Sequence, residues 1–192
     1  MMCRSSHRGA PRAVVIGVGN PFRRDDGVGA AVATRTLDRL PPGLRDGAWV
    51  VALDGEPSRM VETWASAELA VVVDAVCSDA EPGTVRRANV VPDDTDDLLG
   101  AQSRTGSSAV SGHAAGVAEA VALGAALDRL PRRLVIYTVA ADDFGNGPGL
   151  SPPVATAVDR VVDAIHELLL EARICCPEQT PAPRSRGTGL ST

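Results

Sequence analysis

Residues 14–29 read VVIGVGNPFRRDDGVG: an apolar run breaks into a Gly-rich turn, and two adjacent carboxylates, Asp25 and Asp26, open the next segment. The apolar residues do not alternate with polar ones, so the strand they predict is buried on both faces. A doubly covered strand that feeds a helix through a glycine turn confines the chain to an α/β fold with a mostly parallel sheet. In such folds the carboxyl rim of the sheet carries the chemistry, and this turn delivers two acids there. The segment is close to a dinucleotide-binding fingerprint without being one. The third glycine of GxGxxG would stand at position 22, where Phe22 crowds a pyrophosphate against the helix N-terminus.

Strand and helix signals alternate through the rest of the chain. Strands are predicted at 13–18, 49–53, 69–76, 84–91 and 133–140, where β-branched and apolar residues run between turn signals. Helices are predicted at 27–40, with Val28, Val32 and Leu37 on its apolar side, at 57–67, and from 109 or 111 to 130. A last helix runs to about 172 from Ser151-Pro152-Pro153, an N-cap followed by prolines in the first turn. Residues 1–12 read as a flexible leader, 93–106 as an acidic loop and 177–192 as a disordered tail. The expected architecture is one domain over 13–176, a three-layer α/β/α sandwich on a mixed, mostly parallel sheet of about five strands.

Composition narrows the function. All 19 basic residues are arginine, which excludes a phosphate-binding lysine, a Schiff base and a lysine general base, and with the missing glycine sets a nucleotide-binding enzyme aside. The net charge of −5, with several arginines near the ends, argues against a nucleic-acid partner, and aromatic content of 3% leaves no base-stacking platform. Cys3, Cys77, Cys175 and Cys176 have neither zinc-ribbon nor disulfide-framework spacing. With no signal-peptide pattern and no long apolar run, a cytoplasmic protein without a membrane partner is expected.

The opening motif closely resembles the GxGNxxxxDDGxG signature of the hydrogenase maturation endopeptidases, which clip the C-terminal extension from the large subunit of nickel-iron hydrogenases after nickel insertion. The resemblance continues in order along the chain: LAVVVDA at 69–75 with Pro82-Gly83-Thr84 after it, SGHAAG at 111–116, and GLSP at 149–152. It implies the same sandwich fold and a monomer. It implies a hydrogenase large-subunit precursor as partner, and Asp26, Asp74 and His113 as the residues that contact nickel, with Asp26 and Asp74 also the candidates for catalysis. One departure is the segment after the second strand, where Glu56 and Arg59 add charge to a stretch that many members fill with glycine, serine and threonine.

Read from spacing alone, each of these residues has a plainer meaning. Asp25 or Asp26 serves equally as a cap at the positive end of the following helix. Asp74 serves equally as a strand-end acid satisfying loop N–H groups, and a lone His113 after Gly112 as a helix-start residue. Cys77 reads as a small buried hydrophobe ahead of a fourth ligand, and Asp142-Asp143 as a solvated turn. Two carboxylates and one imidazole without a thiolate form an open face of modest affinity for nickel. The expectation is therefore that nickel arrives in the precursor and is not tightly held by the isolated protein. Either an aspartate general base or nickel itself would then drive hydrolysis. The alternative function is a non-catalytic module on the same fold that binds the nickel site as a chaperone.

Overall fold

The computed structural model describes residues 11–90 and 112–172, without the side chains of 112–115. The stretches expected to be an acidic loop (93–106) and a disordered tail (177–192), and the expected leader up to residue 10, lie outside the described residues. Arg12, assigned to the leader, is fastened: its guanidinium pairs with Glu68 at 2.9 Å and its carbonyl accepts the N–H groups of Glu68 and Leu69.

Five strands form one sheet in the order β2 (Ala48–Leu53), β1 (Ala13–Val18), β3 (Leu69–Cys77), β5 (Arg133–Ala141), β4 (Val85–Val90). The first four run parallel and β4 is antiparallel to β5. The central strands explain their own sequences. Each residue of β1 and the first seven of β3 are buried, because helices cover both faces. The outer strands β2 and β4 are only partly buried.

On one face lie α1 (Val28–Arg39), the short α2 (Pro42–Arg45) and α5 (Pro152–Glu171). Val28 and Val32 meet Val154, Val158, Val161, Val162 and Ile165 there, over the odd-numbered residues of β1 and β3. On the other face, α3 (Pro57–Trp64) and α4 (Gly112–Ala126) bring Met60, Trp64, Val117 and Val121 against Val14, Ile16 and Val72. Burial of each such side chain stabilises by about 1.5–3 kcal/mol relative to exposure. The result is the expected three-layer sandwich.

Leu37 is not on the apolar side of α1. It is 50% exposed, and Thr36 is fully buried in its place. From Val28 and Val32 the helical period of 3.6 reaches 35 and 36 before 37, so the apolar stripe passes Leu37 by.

Strand order places the site. From β1 the chain moves outward to β2, then returns through α3 to β3 on the other flank of β1. The order therefore reverses between β1 and β3, and the crevice above their carboxyl ends is where open α/β sheets bind ligands.

Candidate functional site

The pairing of β1 with β3 ends at Gly17 opposite Val73, so Asp74 is the first residue of β3 to stand clear of that pairing. The room above β1 is taken by the 19–27 segment, which closes in a 3-10 turn, Arg24–Gly27, before α1 begins. Gly19 makes this path feasible. Its φ of +127 lies in the glycine-favoured region, and a Cβ there would collide with the carbonyl of Asp26. Its N–H is donated to the carbonyl of Leu53 at 3.1 Å, tying the turn to the end of β2.

Asp26 is fully buried. Its Oδ2 accepts the Asn20 N–H at 3.0 Å, and the Arg23 guanidinium lies 4.0 Å away, half exposed at the surface. Asp74 is 1% exposed, and its Oδ1 has no hydrogen-bond partner among the described residues. Burial pushes the Asp74 carboxyl up from 3.8 to about 8; the N–H of Ala75 pulls the other way, and the nearby charge of Asp26 adds to the rise. A carboxylate so placed is neutral by itself at ordinary pH and is stabilised as an anion by a cation brought to it. The donor set and the open Oδ1 thus suit a divalent ion.

His113 is the second residue of α4, and its side chain lies outside the described residues. The helix backbone nonetheless locates that end of α4. Gly116 packs so tightly on Gly55, just beyond β2, that a Cβ at 116 would strike the Gly55 carbonyl. The first turn of α4 therefore stands at the same carboxyl rim as the Asp26 turn. Among the described residues no group of three or more potential ligands could hold a metal, so Asp26 and Asp74 form a described pair without the imidazole.

The two adjacent acids are used differently. Neither caps α1, whose N-cap is Gly27 without a side-chain bond. The Asp25 carboxylate turns instead to Ser151, accepting its N–H at 2.6 Å and its hydroxyl at 2.9 Å. Ser151 stands at the N-cap position of α5 as expected, but its hydroxyl makes no cap bond because it is given to Asp25. Around this tie the 143–151 loop is stitched to the 22–25 turn. Arg24 donates its N–H to Gly147 O and Gly147 donates to Phe22 O, while Asp25 donates to Asp143 O at 3.0 Å. Asp143 is thus no free turn acid. It pairs with Arg24 at 2.6 Å, which holds its carboxyl below the usual range. A surface cleft of about 440 Å³ opens between Arg24, Asp143 and residues 148–152; neither Asp26 nor Asp74 lines it.

One other expectation is corrected. Cys77 is exposed, not buried. It lies three residues beyond Asp74, and odd spacing on a strand sends side chains to opposite faces. Glu56 is the N-cap of α3, accepting the N–H groups of Ser58 and Arg59 and the Ser58 hydroxyl, and these bonds lower its pKa. Sequence reading missed the Asp25–Ser151 tie and the approach of Arg23 to Asp26; the one signal for the tie was the GLSP motif, which reads as a helix start.

Fold and site together define an α/β/α sandwich enzyme with paired acids at the carboxyl rim, where strand order reverses. The chain belongs to the hydrogenase maturation protease family: that family's model matches residues 49–168, a stretch that contains Asp74 and His113 and begins after Asp26. It is accordingly a peptidase. Its fold is similar to that of the hydrogenase maturating endopeptidase HybD from E. coli, with a TM-score of 0.66 and 21% identity over 84% of this chain and 93% of that one. The [NiFe] hydrogenase maturation protease HybD from Thermococcus kodakarensis gives 0.65 and 21% over 82% and 99%. The maturation protease HycI of the same archaeon gives 0.57 and 20% over 84% and 94%. Curated protein sequences gave no match. Among the described residues no helix is long and apolar enough to cross a membrane.

Proposed function

We propose that this peptidase removes the C-terminal extension of a nickel-iron hydrogenase large-subunit precursor after nickel insertion, and that Asp26, Asp74 and His113 recognise the nickel. The observation that carries the reading is the Asp74 carboxylate, buried beside Asp26 with an oxygen left open. Keeping two acids together in a dry crevice is costly unless a cation joins them in the working complex. The precursor brings that cation as part of the substrate. Two carboxylates and an imidazole complete its shell and thereby sense that loading has occurred.

Asp26 and Asp74 are also the candidates for activating water at the scissile bond, which makes the reaction aspartyl-type. Either one of these acids takes a proton from water as general base, or the nickel brought by the precursor would polarise the scissile carbonyl instead. The protein acts as a cytoplasmic monomer in this reading.

The test mixes purified protein with cognate precursor, nickel-loaded or nickel-free, and follows intact mass. Loss of one C-terminal peptide from the loaded form alone is the expected result. Cleavage of both forms removes nickel recognition from the mechanism. Co-elution with loaded precursor and no cleavage favours a non-catalytic chaperone that binds the nickel site.

A further inference from the structure

Asp25 is the member of the acid pair that the reading above leaves without a task. It is fully buried, and both of its oxygens are occupied by one residue 126 positions away. Burying a carboxylate costs several kcal/mol unless strong donors meet it. Here the donors are the N–H and hydroxyl of Ser151 at the start of α5, where the positive end of a 20-residue helix adds to the attraction.

We propose that Asp25 is a positioning residue for cleavage: fastened to Ser151, it fixes the 24–27 turn so that Asp26, the next residue, stays presented beside Asp74. The proposal rests on Asp26 and Asp74 being the reacting acids. The turn that carries Asp26 is a single 3-10 turn whose first residue, Arg24, already sits at a φ of 46. A single turn has little backbone bonding of its own, so its position is set by what it is fastened to. α5 supplies a firm anchor, because Val154, Val158, Val161 and Ile165 hold it in the core. The neighbouring bonds from Gly147 and Arg24 are backbone bonds. Two side-chain ties complete the fastening, the partly exposed Arg24–Asp143 pair and Asp25–Ser151, and the latter is the one that reaches α5.

The experiment measures kcat and KM for nickel-loaded precursor at a temperature where circular dichroism shows every variant folded. Asp25→Asn keeps the volume but removes the charge that the Ser151 N–H and hydroxyl meet, so both charge-assisted bonds are replaced by weaker neutral ones. The expected result is a fall in kcat of about tenfold or more with KM within about twofold, since a small displacement of a reacting group is felt in turnover first. Ser151→Ala lowers kcat less, and Ser151→Thr, which keeps the hydroxyl, restores it. The double variant Asp25→Asn/Ser151→Ala is no slower than Asp25→Asn alone. Unchanged kcat, a loss that tracks loss of folded protein, or failure of threonine to restore turnover each overturns the proposal. If Asp25→Asn does not fold, the two Ser151 variants decide. A wild-type protein that cleaves no precursor overturns the underlying reading and the proposal with it, so the two failures are distinguishable.

Discussion

The Asp74 carboxyl, buried within reach of the charge on Asp26, is neutral in the folded protein over a pH range in which the unfolded chain ionises it. The unfolded acid loses its proton near 3.8 and the folded one near 8. Between those values the folded state binds more protons, so stability is full below the lower value and is lost as pH rises toward the upper one. Asp74→Asn removes the titration. In urea melts the variant should match the wild type near pH 4 and gain on it up to pH 8, by on the order of a few kcal/mol. A gap that stays flat with pH would mean that Asp74 ionises normally in the folded protein.

Gly17 and Gly29 let α1 start flush against the sheet. A Cβ on Gly29 would meet the backbone of Val18 and Val73, and one on Gly17 would meet the Gly29 carbonyl. Backbone atoms at the centre of a sheet cannot give way as a side chain can. Gly29→Ala is therefore expected to cost more than about 2 kcal/mol in chemical denaturation, where a helical Gly→Ala change ordinarily gains about 0.4–1 kcal/mol. A neutral result would show that α1 can ride up from β1 without penalty.

Much of this was legible beforehand, for physical reasons that differ by element. β1 was read to the residue because an apolar run bounded by glycine admits no other solution inside a covered sheet. The mostly parallel sheet followed from strand and helix alternation, and the family motifs from their order, whereas the strand order that makes the switch point came only with the structure. The failures share one cause: they depend on phase or on a distant partner. Leu37 lost its place to Thr36 by one residue of helical phase. Cys77 was misplaced because the helices that cover both faces of β3 stop short of its last residues, where burial ends. The division of labour within Asp25-Asp26 is invisible locally, since it is decided by a serine 126 residues away.

Thr36 gives that misreading a measurable consequence. Its hydroxyl is buried without a hydrogen-bond partner among the described residues, inside the layer that α1 packs on the sheet. Removing an unsatisfied buried hydroxyl while keeping the shape returns its desolvation cost. Thr36→Val should raise the unfolding free energy by about 1 kcal/mol. Leu37→Ala, at a half-exposed position, should change it by less than about 0.5 kcal/mol. The reverse order of effects would return Leu37 to the apolar side.

Cys77 separates the proposed metal contacts from mere proximity in sequence. It is a thiol, the softer ligand for nickel, and it lies only three residues from Asp74, yet it is exposed at the end of β3. If Asp26, Asp74 and His113 recognise precursor-bound nickel, then Asp26→Ala, Asp74→Ala and His113→Ala should each slow cleavage of loaded precursor by about a hundredfold or more. Cys77→Ser should leave it within about twofold. Mass spectrometry of timed reactions reads both. A large loss on Cys77→Ser, with His113→Ala near wild type, would mean that a thiolate replaces the imidazole in the shell, and the three-residue site would have to be redrawn around β3.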